Sequence, residues 1–363
     1  MLPKPARSGA AQLAGYSVLT VLVAACAVFF YFGGFRYFLS NQSSSLSVVL
    51  ALTQSRVHRD ATIVVLGNST AAEDFHANRF NAQPPARVAL NLGVPSAHIY
   101  FFGRILSAAR EEGLHARTVI LMYTPEVFSL RADFDYLLND LTMLKTVLNS
   151  GDFVLLASHS RGLRDYANYA SYVAFRPVLF RDELRDFFAR PRERLRQAAV
   201  VRGWLASFGP GSPMIETDNR FSVCDAGPLP ALEQTIARLR REGREAEAAD
   251  DARVLAGYSA RVHQPLRVDP FETVRFRRLL EELAAGAGLV YLVPAPYYDP
   301  DYDQYPLEYR RAADRAIRET VSGLPRVKLL PPFPADCRLF FDTVHLNHQG
   351  ADQFTDYLHA RVL

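Results

Sequence analysis

Short apolar runs alternate with amphipathic stretches along much of this chain, a pattern that predicts a parallel sheet with helices on both faces. The runs Thr62–Leu66, Arg87–Leu92, Thr118–Tyr123, Leu289–Val293 and Val327–Leu330 are the expected strands. Between them, the segment Ser96–Glu112 places Ile99, Phe102, Ile105, Leu106 and Ala109 at helical spacing, so one face of it should lie on the sheet. From His345 onward, Leu346, Phe354, Tyr357 and Leu358 repeat that spacing and predict a closing helix. The expected fold class is α/β, a flavodoxin-like three-layer sandwich with a parallel sheet.

Two stretches depart from the alternation. An almost uninterrupted apolar run from Leu13 to Phe35 follows Lys4 and Arg7 and ends at Arg36. A helix needs about 20 such residues to cross a bilayer, whereas the core of a signal peptide is roughly 7–15. Here Phe29, Phe30, Tyr31 and Phe32 carry the run on, which favours an uncleaved transmembrane anchor over residues 1–40. Val23-Ala24-Ala25-Cys26 also reads as a lipobox, but acylation at Cys26 would leave a strongly apolar stretch directly behind the lipid. Lys4 and Arg7 put the N-terminus in the cytoplasm and the remainder outside it. The second departure is residues 131–268, rich in Arg, Asp and aromatics and interrupted by Gly209-Pro210-Gly211 and Gly227-Pro228. Helices are expected there around Asp135–Leu148, Arg181–Phe188, Arg190–Phe208 and Leu229–Glu247, forming a mostly helical insertion. It divides an α/β domain made of residues 41–130 and 269–363.

Composition narrows the function classes. With 363 residues, 49% of them hydrophobic and 22% charged, the chain is a globular protein rather than a disordered one. A net charge of +3, without Lys/Arg runs interleaved with aromatics, excludes a nucleic-acid partner. Of three cysteines, Cys26 lies in the apolar run, which leaves Cys224 and Cys337 as the one pair able to form a disulfide in an oxidising compartment. No CxxC or Cys/His cluster occurs, so neither a metal nor another cofactor is expected.

The chemistry-bearing residues lie at two distant places. In Phe340-Phe341-Asp342-Thr343-Val344-His345-Leu346-Asn347-His348-Gln349-Gly350, an acid and an imidazole stand three apart, so the carboxylate can hold one ring nitrogen while the other faces a nucleophile. Far upstream, Ile63-Val64-Val65-Leu66 ends in Gly67-Asn68-Ser69-Thr70 before an expected helix. A buried strand, a tight turn and an exposed hydroxyl at a helix start present a serine at the carboxyl edge of a sheet. Ser69, His345 and Asp342 are therefore the candidate triad.

These blocks resemble the SGNH, or GDSL-like, esterases and acyltransferases: Gly67-Asn68-Ser69 as the first, Asn91-Leu92-Gly93 as the second, and Asp342-Thr343-Val344-His345-Leu346-Asn347 with Gly350 as the last. The resemblance implies that Ser69 attacks an acyl carbonyl, His345 moves the proton and Asp342 orients the ring. It also implies that the N–H groups of Ser69 and Gly93 face the oxyanion. Two departures stand out: Asn68 replaces the commoner Asp, and Tyr123-Thr124-Pro125-Glu126 stands where the family usually carries an oxyanion Asn. With the anchor and the insertion, the chain looks most like the membrane-anchored branch, the D-alanyl transfer proteins of teichoic acid systems and the exopolysaccharide O-acetylation proteins. That likeness implies a cell-envelope polysaccharide substrate and a polytopic membrane-bound O-acyltransferase partner at the inner membrane, with the catalytic domain periplasmic.

Plainer readings stand beside these. Ser69 and Asp342 suit helix caps, Gly93 suits a turn, and His348 suits a helix surface rather than a metal site. Asn68, Tyr297 and Tyr298 are candidate substrate-binding residues, the tyrosines because Tyr297-Tyr298-Asp299-Pro300-Asp301-Tyr302-Asp303-Gln304-Tyr305 follows a strand's carboxyl end. An ordinary exposed loop is the preferred account of that run. A carbohydrate or lipid esterase using water, and a non-catalytic scaffold in an O-acylation complex, remain open beside the acyltransferase.

Overall fold

The computed structural model describes residues 9–31, 46–85, 87–95, 97–129, 145–147, 162–174, 178, 180–207, 222, 224, 230–245, 248, 252, 267–298, 306–342 and 344–363. In chain order these form α1 (Gly9–Tyr31), α2 (Leu46–Val57), β1 (Ile63–Leu66), α3 (Ser69–Asp74), α4 (Ala77–Ala82), β2 (Ala89–Asn91), α5 (Phe102–Glu111), β3 (Thr118–Tyr123), α6 (Leu163–Ala174), α7 (Arg181–Ala189), α8 (Pro191–Ser207), α9 (Pro230–Arg241), α10 (Pro270–Ala287), β4 (Leu289–Pro294), α11 (Leu307–Val321), β5 (Val327–Leu329) and α12 (His348–Val362). The chain divides into two compact units, Met1–Val49 with Phe134–Ala206, and Leu50–Asp133 with Ser207–Leu363.

The second unit is α/β, with a five-stranded, wholly parallel sheet in the order β2-β1-β3-β4-β5. Its inner strands read as continuous apolar runs because both faces are covered; all four residues of β1 are buried. Ile63, Val65, Ile120, Met122 and Val293 point to one face, where they join Phe75, Phe80, Phe340, Leu346, Phe354 and Leu358 around α3, α4 and α12. Their alternates Val64, Val119, Leu121, Val290 and Leu292 point the other way. On that side α10 buries Phe276, Leu279, Leu280 and Leu283, and the Phe276 ring meets Phe128 edge-on at 5.3 Å. These layers are compatible with a three-layer sandwich. Burying each such side chain contributes roughly 1.5–3 kcal/mol, so the faces hold the strand ends in place. The chain leaves β1 for β2 on one side and then crosses to β3 on the other, so the switch point, where ligands bind in such sheets, lies between the carboxyl ends of β1 and β3.

Strand positions follow the sequence closely; helix starts differ. The segment expected as one helix over Ser96–Glu112 is a 3-10 turn at Ile99–Phe101 followed by α5. The closing helix begins at His348, not His345, because Phe340 and Leu346 pair as an antiparallel bridge and the Phe341 N–H donates to the His345 carbonyl. In the stretch expected to be helical, α7, α8 and α9 form, and α9 stops short where Gly243 takes a φ of +72°. The helix expected at Asp135–Leu148 lies outside the described residues, apart from a turn at 145–147. Within the first unit, buried Lys145 pairs with Glu183 and lies 5.1 Å over the Phe180 ring.

Side chains of α1 are described over residues 14–25, where all are exposed. Among the described residues no helix is long and apolar enough to cross a membrane, and the anchor expected over residues 1–40 extends beyond them. The expected cysteine pair does form: Cys224 and Cys337 are disulfide-bonded, with Cα atoms 5.1 Å apart.

Candidate active site

At the end of β1 the chain turns through Gly67 and Asn68 into α3. A Cβ at Gly67 would stand 2.5 Å from Ala71 Cβ and 3.1 Å from Met122 Cβ, so only glycine fits between the new helix and β3. Asn68 is the N-cap, its Oδ1 accepting the Thr70 N–H at 3.1 Å and the Thr70 hydroxyl at 2.8 Å. Ser69 follows as the first helical residue, where a backbone N–H has no intrahelical acceptor. Its hydroxyl stands at the switch point.

The acid and the base arrive on the loop between β5 and α12. Closed by the Phe340–Leu346 bridge, this loop places His345 Nε2 2.8 Å from Ser69 Oγ and His345 Nδ1 2.8 Å from Asp342 Oδ2. The other carboxylate oxygen of Asp342 accepts the N–H groups of Val344 and His345 at 2.8 and 2.7 Å. Asp342 therefore does not cap the last helix; Asn347 does, its Oδ1 accepting the Gly350 N–H at 2.9 Å. Gly350 is needed because a Cβ there would lie 2.2 Å from the Leu339 carbonyl oxygen. Phe341 stacks on the imidazole, its ring centroid 5.6 Å away and the planes 13° apart. The three residues expected to act together, Ser69, His345 and Asp342, are thus one hydrogen-bonded chain.

Two carboxylates that the sequence reading passed over belong to the same cluster. Glu73 Oε1 lies 3.8 Å from His345 Nε2. Asp74, completely buried, accepts the Leu346 N–H on Oδ1 at 2.9 Å, while its Oδ2 meets no hydrogen-bond partner among the described residues. Burial pushes the Asp74 carboxyl well above its usual value, further than the nearby His345 and the Leu346 N–H pull it down. Burial also opposes charge on His345, but the hydrogen bond and charge of Asp342, with the charges of Glu73 and Asp74, outweigh it and raise the imidazole to about 9. For Asp342 burial is likewise outweighed, by the His345 hydrogen bond and charge and by the two N–H donors, and its carboxyl is held below the ordinary value. The signal for Glu73 was its position four residues after Ser69, on the same face of a helix.

Gly93 has a different setting from the one the resemblance implied. Its N–H donates to Asn91 Oδ1 at 2.9 Å, and a Cβ on it would lie 2.5 Å from the Ala72 backbone nitrogen. Asn91, buried, gives its amide to the carbonyls of Ala71 and Phe75 at 2.8 and 3.1 Å and so closes the far end of α3. Tyr298 packs against the core with its ring 6.0 Å from Phe340, Tyr297 is half-buried beside it, and residues 299–305 of the tyrosine-rich run lie outside the described residues. His348 stands 3.9 Å from Asp352, and no group of three or more His, Cys, Asp or Glu among the described residues is arranged to hold a metal ion.

Such an arrangement can move a proton from the Ser69 hydroxyl to His345 Nε2 while Asp342 steadies the resulting imidazolium. No protein-family model matches this chain, and no curated protein matches it.

Proposed function

We propose that this chain is a serine acyltransferase or esterase of the SGNH kind, working through an acyl-Ser69 intermediate on O-acyl groups of a cell-envelope or secreted polysaccharide. The observation that carries this reading is the Ser69–His345–Asp342 chain, 2.8 Å at each link, at the switch point of a parallel sheet. Ser69 Oγ attacks the acyl carbonyl as its proton passes to Nε2; the imidazolium returns that proton to the departing alcohol or thiol. An acceptor hydroxyl then repeats the sequence on the acyl-enzyme. With a sugar hydroxyl as acceptor the outcome is transfer, and with water it is hydrolysis.

The oxyanion would face the Ser69 N–H. While the Gly93 N–H is taken by Asn91, the site is a donor short, and one such donor is typically worth ~10²–10³ in rate. That favours an activated donor, a thioester or an acyl-serine, over an unactivated ester. The apolar run from Leu13 to Phe35 supports a single-pass anchor with the α/β unit on the extracytoplasmic side, within reach of a polytopic membrane-bound acyltransferase. The Cys224–Cys337 bond suits that oxidising side.

Labelling with a serine-directed fluorophosphonate tests the reading. The parent protein should label, Ser69→Ala and His345→Ala should not, and Asp342→Asn should retain a trace because the base survives without its orienter. A Ser69→Ala protein that labels as strongly as the parent overturns the assignment.

A further inference from the structure

Glu73 follows Ser69 by one helical turn, so the two side chains leave the same face of α3. Its Oε1 is 3.8 Å from His345 Nε2, the nitrogen that lies 2.8 Å from Ser69 Oγ. Only 18% of the Glu73 side chain is exposed, so its charge acts on the ring through protein more than through water. We propose that Glu73 is a second positioning carboxylate, which grips the imidazolium from the Nε2 side as Asp342 does from Nδ1 and thereby sets the pH at which Ser69 becomes a nucleophile. The proposal rests on the acyl-serine reading above.

The groups that face the ring come from two elements. From its own loop come Asp342 and the uncharged Phe341; from α3 come the Ser69 hydroxyl, Glu73 and Asp74. Asp74 is fully buried and turns its Oδ1 to the Leu346 N–H, which leaves Glu73 as the second carboxylate close to Nε2. Burial holds the Glu73 carboxyl above its ordinary value, the His345 charge pulling against that and Asp342 adding to it. Two carboxylates on one imidazole make it a stronger base and stabilise the cation that forms when Ser69 attacks. The same pair keeps the ring protonated in the resting enzyme, where it cannot accept the serine proton.

The test is an NMR titration of ring-labelled histidine in the full chain, compared with the pH dependence of fluorophosphonate labelling. In Glu73→Gln the His345 midpoint should fall by about one pH unit or more, and the labelling profile should move down with it. Glu73→Asp, which keeps the charge but withdraws it, should fall part of the way and serves if the glutamine variant does not fold. An unmoved His345 midpoint in a folded variant whose Ser69 still labels overturns the role of Glu73 alone. A midpoint that falls while no protein labels at any pH supports the Glu73–His345 coupling and sinks the acyl-serine reading.

Discussion

Asp74 Oδ1 accepts the Leu346 N–H at 2.9 Å across 272 positions of chain and so ties the helix that carries Ser69 to the loop that carries His345. The carboxyl is fully buried and favours its neutral form, so its folded value lies above the unfolded one. The sign follows: as pH rises past the ordinary 3.8, the unfolded chain gains from ionisation and the folded one does not, and stability falls. Asp74→Asn keeps an acceptor for Leu346 and abolishes this loss. Its melting temperature should match the parent's near pH 3.5 and exceed it at pH 8. Asp74→Ala instead leaves a buried N–H unpaired and near pH 3.5 should be less stable by about 1–3 kcal/mol. An Asn variant that is no more stable than the parent at pH 8 would show that the folded Asp74 value is not raised above the unfolded one.

His345 titrates in the opposite sense. Its folded value of about 9 lies above the ordinary 6.5, so the stability it contributes is complete below pH 6.5 and is lost as pH rises through about 9. Asp342, held below 3.8, contributes above that value and loses its contribution as pH falls through its lowered one. Melting temperatures of the parent should therefore decline on the alkaline side, and His345→Ala should lack that decline. In the same range labelling of Ser69 should climb, levelling only above about pH 9, since the neutral imidazole is the base. A labelling rate already flat at pH 7 would contradict a ring charged at rest.

The strands were legible because each is a short apolar run with sharp polar borders: Thr118–Tyr123 and the start of β4 at Leu289 fall where the residues place them. The partners Ser69, Asp342 and His345 were legible as residue types in the right local setting. What local pattern cannot carry is tertiary. His345 was read as the start of a helix because Leu346, Phe354 and Leu358 continue a helical spacing, yet the Phe340–Leu346 bridge holds the loop extended until Asn347. Asp74 was missed because a lone acid on a short helix resembles a solvated one until Leu346 arrives to meet it. Gly93 was legible as a position that needs glycine, but the neighbour that demands it, Ala72, is distant in the pattern and adjacent only in the fold.

Cys337 opens the short 3-10 turn that leads into Phe340, and its partner Cys224 lies 113 positions earlier. Ser222 supports the link, its hydroxyl donating to the Cys337 carbonyl at 3.4 Å and accepting the Cys224 N–H at 3.2 Å. Closing so long a loop typically stabilises a protein by 2–4 kcal/mol in the chain-entropy account. The Cys224→Ser, Cys337→Ser double variant should lose about that much in denaturant titration, and proteolysis within residues 331–347 should quicken. Equal stability and unchanged cleavage would mean that the bond does not hold the approach to the catalytic loop.

Gly93 separates a packing role from an oxyanion role. An alanine there keeps the backbone N–H, so a residue needed only as a donor would tolerate the change. A Cβ would nevertheless lie 2.5 Å from the Ala72 nitrogen and 2.8 Å from its Cα, both backbone atoms of α3 that cannot swing aside. Relief requires α3 to move, and Ser69 moves with it, away from a histidine held on its own loop by the Asp342 carboxylate. Overpacking of this kind typically destabilises by 1–3 kcal/mol, and a misplacement of about 1 Å at the reacting atoms can lower the rate ~10²-fold. Gly93→Ala should therefore lose melting temperature and Ser69 labelling together. Asn91→Asp, which retains an acceptor for the Gly93 N–H but removes the amide that binds the Ala71 and Phe75 carbonyls, should weaken α3 from its other end and show the same paired loss. A Gly93→Ala protein that keeps both its melting temperature and its labelling would refute the packing role and leave Gly93 only its N–H to contribute.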